Sequence, residues 1–284
     1  MVTTSLWIDI DGDSWEDLVV AGEWMAIHFF KNNAGKSFTE VTDTVFESEK
    51  RGWWYDIEKG DFDNDGDMDL IVGNLGLNYK YQASDEKPFK VYLNDFDRNA
   101  TYDIVLSYKS GDIEYPVRGR QCSSEQMPAI KEKFKNYNSF ASASLEEIYS
   151  NQMLEEALAY EINSFASLYL ENNNGTFIAK PLPYQTQFSN INAIVVKDID
   201  QDGNLDAVLG GNLYNAEVET PRNDSSYGYF LKGNGNNNFS VQLPRNSGLV
   251  MKGDVRNIKP IQIGDQTHLL VARNNMEMQQ IRIN

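Results

Sequence analysis

Cys122 is the only cysteine in this chain of 284 residues. No internal disulfide can form, and a cysteine-built zinc site is excluded. His28 and His268 are the only histidines, which leaves few candidates for imidazole-centred catalysis. Basic residues are also scarce: 25 Lys and Arg stand against 42 Asp and Glu, for a formal net charge of −17. That balance has the wrong sign for a nucleic-acid partner, whose binding depends on cations that neutralise phosphates. The hydrophobic runs are too short to span a bilayer. The N-terminal Met-Val-Thr-Thr-Ser-Leu-Trp lacks the basic-then-apolar order of a signal peptide. It runs straight into an acidic loop, so the chain is expected to be a fragment of a longer protein. Nucleophile-elbow, phosphate-loop and His-Glu zinc-helix motifs are all missing.

What is present is an acidic nine-residue pattern, written four times. Loop 1 is Asp9-Ile-Asp11-Gly-Asp13-Ser-Trp15-Glu-Asp17. Loop 2 is Asp61-Phe-Asp63-Asn-Asp65-Gly-Asp67-Met-Asp69. Loop 3 is Asp95-Phe-Asp97-Arg-Asn99-Ala-Thr101-Tyr-Asp103. Loop 4 is Asp198-Ile-Asp200-Gln-Asp202-Gly-Asn204-Leu-Asp206. Oxygen side chains recur at positions 1, 3, 5 and 9, and position 7 can add its backbone carbonyl. Calcium takes six to eight such oxygens from a flexible loop. Up to four calcium ions are expected, and they would cancel roughly half of the net charge. Asx-turns between strands are the alternative for any single loop, but four copies in one register favour metal. An EF-hand is excluded, because it needs a Glu at position 12. That position holds Val20, Val72, Leu106 and Leu209.

Short apolar, β-rich runs flank the loops, among them Leu6-Trp7-Ile8, Leu70-Ile71-Val72 and Ile194-Val195-Val196, and they predict strand, loop, strand. A second signature follows: Phe29 to Phe38, Tyr169 to Phe177 and Phe230 to Phe239 each contain an Asn/Gly cluster suited to a hairpin turn. Four antiparallel strands at a period of about fifty residues describe a β-propeller blade. Loop starts are separated by 52, 34 and 103 residues, and Asp254 follows the fourth start by 56, as in a degenerate fifth unit. The short interval predicts a second unit with a curtailed outer half. The long one predicts an insertion in the third unit, and residues 123–158 turn helical in composition, with a capping box at Ser144-Leu-Glu-Glu147.

The Asp-x-Asp-x-Asp-Gly-x-x-Asp loops resemble the FG-GAP repeats of integrin α-subunit propellers and of bacterial VCBS or FG-GAP repeat proteins. Longer stretches resemble the Bacteroidetes subgroup that carries an ASPIC/UnbV-type label: Gly52-Trp53-Trp54, Gly73-Asn74-Leu-Gly-Leu-Asn78, Tyr115-Pro-Val-Arg118-Gly-Arg120 and Arg222-Asn-Asp224-Ser-Ser-Tyr227. The resemblance implies an all-β propeller of about five four-stranded units over residues 1–284, open to completion as a seven-bladed one. It also implies a place at the cell surface or in the periplasm, outside the cytosol. Ser14 in loop 1, and Asn99 and Ala100 in loop 3, depart from the pattern, so loop 3 is expected to bind metal most weakly.

A ligand face is expected on the connections beyond the second strands. Its candidate residues are Trp53, Trp54, Asn74, Asn78, Arg118, Arg120, Glu217, Glu219, Arg222, Asp224 and Tyr227. Aromatic, Arg, Asn and Asp groups there would suit a protein or glycan ligand; the alternative is that they tie long connections down. The expected function is a non-enzymatic calcium-binding recognition module. A polysaccharide lyase or hydrolase, or a purely structural module of a larger surface protein, are the competing readings.

Overall fold

The computed structural model describes residues 1–46, 48–217 and 220–283. It is mostly β, in antiparallel sheets, and divides into two compact units: residues 1–80 with 165–284, and residues 81–164.

In the larger unit the first sheet is β1 (Val2–Ile8), β2 (Asp17–Ala26), β3 (His28–Asn32) and β4 (Phe38–Glu40), with β5 (Arg51–Trp53) on the far end of β2. The second opens with β6 (Asp56–Gly60) and β7 (Asp69–Gly73). The chain then builds the smaller unit from β8 (Phe89–Asn94), β9 (Asp103–Ser110), β10 (Ile113–Pro116) and β11 (Leu158–Ile162). It re-enters the second sheet as β12 (Leu168–Asn173), beside β7, and β13 (Thr176–Pro181). The third sheet of this unit runs β14 (Ile191–Lys197), β15 (Asp206–Gly211), β16 (Tyr229–Gly233) and β17 (Phe239–Gln242). The last is β18 (Val255–Ile263), β19 (Gln266–Arg273) and β20 (Gln279–Arg282).

The expectation of a curtailed second unit is therefore corrected. Its outer half is complete, but β12 and β13 are separated from β7 by residues 81–164, because Leu168 to Leu170 pair with Val72 to Leu70. The hairpin signature at Tyr169 to Phe177 belongs with loop 2, and loop 3 lies in the intervening unit.

Each acidic loop spans the same corner. Ile8 pairs with Asp17, Gly60 with Asp69, Asn94 with Asp103 and Lys197 with Asp206. First strands of successive sheets are tied side by side: Lys59 donates to the Trp7 carbonyl at 2.6 Å, Ile194 N–H to Asp56 at 2.8 Å, and Asn192 to the Val255 carbonyl at 2.8 Å. Glycine lets β15 close on β14, since a Cβ on Gly211 would lie 1.6 Å from the Asn190 carbonyl oxygen. Apolar faces fill the space between sheets, with Phe29 stacked on Phe177 and Phe62 edge-on to Tyr169.

The smaller unit has its own core. Tyr92, Phe96 and Val105 of its sheet and corner pack with Ile130, Phe134, Phe140, Leu145 and Ile148 from short helices between Arg120 and Glu155. The Ser144/Glu147 capping box forms with both of its bonds.

Candidate metal centre

Positions 4 and 6 of every loop lie at positive φ: Gly12 and Ser14, Asn64 and Gly66, Arg98 and Ala100, Gln201 and Gly203. Two left-handed residues separated by one other wind the loop so that its N–H groups point inward. The position-1 carboxylate collects them. Asp9 accepts from Gly12, Asp13 and Ser14, Asp61 from Asp65 and Gly66, Asp95 from Asn99 and Ala100, and Asp198 from Asp202 and Gly203. The position-5 side chain accepts the position-7 N–H in all four loops, at 2.8–2.9 Å. This is Asx-turn chemistry, and it preorganises the remaining oxygens.

Those oxygens converge. In each of the sets Asp9/Asp11/Asp13, Asp61/Asp63/Asp65, Asp95/Asp97/Asp103 and Asp198/Asp200/Asp206, one carboxylate oxygen per residue lies within 4.8 Å of the others. Oxygen-only donors at this spacing suit a hard cation such as calcium. The position-7 residues Trp15, Asp67, Thr101 and Asn204 sit in the same turns and offer carbonyls. In loop 3 the fit is sharpest: Oδ1 of Asp97 is buried without a hydrogen-bond partner. An uncompensated buried carboxylate oxygen is costly, and a bound cation would remove that cost.

The loops differ in what already stands near them. Register places Phe30, Leu170 and Leu231 opposite position 10 of loops 1, 2 and 4, so Lys31, Glu171 and Lys232 are equivalent. Lys31 pairs with Asp11 and with Asp13 at 3.4 Å, and Lys232 pairs with Asp200 and with Asp202 at 2.8 Å. Hydrogen bonding to Asp200 and Asp202 raises the Lys232 pKa and, in return, lowers that of Asp202. Loop 2 has Glu171 in that place. There the hydrogen bond from Asp67 N–H lowers the Asp65 pKa, yet burial and the Asp63 charge outweigh it and the net direction is up.

Position 9 has a second task that sequence reasoning missed. Asp17, Asp69, Asp103 and Asp206 are essentially buried. One oxygen of each accepts the N–H of position 2, from Ile10, Phe62, Phe96 and Ile199. The other accepts from the third strand, at Asn32, Asn172 and Gly233, or from Gln126 in loop 3. These carboxylates bolt the corner to the sheet, and burial pushes Asp69 up to about 6. Asn32 and Asn172 extend the bolt by accepting the hairpin N–H of Gly35 and Gly175. The signal was an Asn at the same place in two hairpin signatures, which only register makes legible.

Residues 9–72 match the FG-GAP-like repeat. The match begins on the first aspartate of loop 1, takes in loop 2 and ends in β7. No curated protein matches the chain. The repeat, the antiparallel sheets and the aspartate clusters agree with one another. Among the described residues no helix is long and apolar enough to cross a membrane.

The expected ligand face separates into three groups. Trp54 is fully buried, with its ring N–H on the Met25 carbonyl at 3.0 Å, and Asn74 is fully buried among Trp53 N–H, Leu75 N–H and the Ala166 carbonyl. Neither can touch a ligand, and both are corrected to structural ties. Trp53 is half-buried against Trp24 and Phe165. Arg118 and Arg120 belong to the smaller unit, where Arg120 ties the Phe134 carbonyl at 2.6 Å and lies over Tyr137. Asn78 and Arg222 of the larger unit do come together, lining one hollow of about 380 Å³. Asp224 pairs with Arg222 at 3.0 Å, and Tyr227 is exposed nearby in sequence. Glu219 lies outside the described residues.

Proposed function

We propose that the chain is a calcium-binding, β-propeller-type recognition module that works outside the cytosol and binds a protein or glycan without catalysing a reaction. The observation that carries this reading is the convergence of position-1, -3 and -5 or -9 carboxylates in four loops of one backbone shape. When bound, calcium supplies the positive charge that these oxygens lack. The side chains named above then do the rest: position 1 holds the turn, positions 3 and 5 face the ion, and position 9 fixes the corner to the sheet. Oxygen-only loops of this kind fill at the millimolar calcium found outside cells, which supports an extracellular, cell-surface or periplasmic location. The FG-GAP-like repeat supports the propeller, in which the β1, β6, β14 and β18 sheets are successive blades. The test is a melting curve in 1 mM calcium against one in excess chelator, together with glycan and peptide capture at 1 mM calcium. A calcium-dependent rise in melting temperature supports the reading; identical curves oppose it.

A further inference from the structure

Beyond the ends of the second strands, opposite to the acidic loops, the larger unit has a two-lobed groove. One lobe, of about 380 Å³, is formed by residues 77–80 after β7 and by the 220–225 segment after β15. The other, of about 330 Å³, shares Leu77, Asn78 and Ser225 and adds Tyr184, Gln187 and Phe188. Each lobe is in the size range of small-molecule sites, ~300–1,000 Å³.

The walls are held rigidly. Leu77 N–H donates to the Gln187 carbonyl at 2.7 Å, and Asn78 donates to the Phe188 carbonyl at 3.3 Å and to Ser225 at 3.4 Å. Leu213 and Asn223 exchange backbone hydrogen bonds across the second connection. Beneath lies a buried polar floor in which Ser189 Oγ meets Asn212 at 2.9 Å and Asn223 at 3.0 Å. A floor of satisfied amides and hydroxyls fixes the connections without needing a ligand.

The chemistry of the walls selects an occupant. Both cations at the rim are neutralised in place: Lys80 by Glu217 at 2.9 Å, and Arg222 by Asp224 at 3.0 Å while it lies 4.6 Å over the Tyr214 ring. An anionic ligand would have to break these pairs. What remains on offer is neutral. Tyr184 presents a largely exposed ring, set edge-on against Phe188 at 5.0 Å, and Pro221 and Leu77 add apolar surface. The Asn78 side-chain carbonyl and the Ser225 hydroxyl add neutral polar groups. Rings for C–H faces alternating with neutral donors and acceptors match a pyranose.

We propose that this groove binds a neutral oligosaccharide of at least two pyranose rings, one in each lobe, with one sugar stacked on Tyr184. The proposal rests on the recognition reading above and deepens it by naming the ligand class and the site. The experiment is saturation-transfer NMR in 1 mM calcium. The panel is neutral tetrasaccharides of glucose, mannose, galactose and xylose, with tetragalacturonate as the acidic comparator. Variants are Tyr184→Ala, Asn78→Ala and, as control, Tyr160→Ala, an exposed tyrosine of the smaller unit, each with its melting temperature recorded. The expected result is binding of one or more neutral sugars that falls at least tenfold in Tyr184→Ala with unchanged melting, falls also in Asn78→Ala, whose wall hydrogen bonds are lost with it, and persists in Tyr160→Ala. Absence of neutral-sugar binding, preference for tetragalacturonate, or binding indifferent to Tyr184→Ala overturns the proposal. Peptide capture with the groove silent to sugars also overturns it, yet leaves the recognition reading standing. Because the melting shift with calcium does not involve the groove, it separates failure here from failure of the metal assignment.

Discussion

Ser14 and Ala100 occupy a backbone conformation that the other two loops give to glycine, with φ of 71° and 67°. A Cβ in the left-handed region costs about 1–2 kcal/mol, part of which glycine gives back through unfolded-chain entropy. Ala100→Gly is therefore expected to stabilise the chain by about 0.5–1 kcal/mol, read as a rise in the urea midpoint with an unchanged slope. Asp56 makes a second prediction at this scale. Burial pushes its carboxyl up to about 6, against hydrogen bonds from Ile194 and Ile57 N–H that pull it down. A folded pKa above the unfolded value means that the folded state holds the extra proton. This contribution is thus full below about pH 4 and is lost as pH rises through 6. In calcium-free buffer the wild-type melting temperature should fall relative to that of Asp56→Asn between pH 4 and 6. A constant difference across that range would show that Asp56 ionises normally.

At the scale of the element, a loop and its neighbouring strands act together. Asp17→Ala leaves the buried N–H of Ile10 and the half-buried N–H of Asn32 without their acceptor, at about 1–3 kcal/mol for a buried group and less for the other. The loss should be about 3 kcal/mol and should persist in excess chelator, which separates the bolt from any metal role. Lys232 tests the opposite coupling. Its ammonium pairs with Asp200 and Asp202, so Lys232→Met should tighten calcium at loop 4, by removing a cation that occupies the same oxygens. An unchanged or weaker affinity would show that the lysine does not compete with the ion. Asn99 and Ala100 make loop 3 the weakest expected site; Oδ1 of Asp97 in that loop is buried without a hydrogen-bond partner, so a calcium titration of Asp97→Asn shows whether this oxygen holds an ion.

Across the whole molecule, the repeated corners were legible because a loop writes its ligands within nine consecutive residues. The strands beside them followed from β-rich runs such as Leu70-Ile71-Val72, and the Asn174-Gly175 turn from its demand for two positive φ values. The partnership of β7 with β12 was not legible, because strand pairing carries no local mark and residues 81–164 stand between them. Which residues of the expected ligand face are accessible was half legible for a similar reason. Trp54 and Arg222 look equally available in sequence, but one is enclosed between sheets and the other is exposed beside the groove. The four corners are proposed as cation sites. Isothermal titration of calcium into the chelator-stripped chain tests this directly, with melting followed in parallel. Saturation at two to four ions per chain is predicted, with stabilisation of about 2.7 kcal/mol per site at a hundredfold excess over Kd and an effect that equal ionic strength from sodium chloride does not reproduce. A titration without binding heat, and melting curves that coincide with and without calcium, would contradict it.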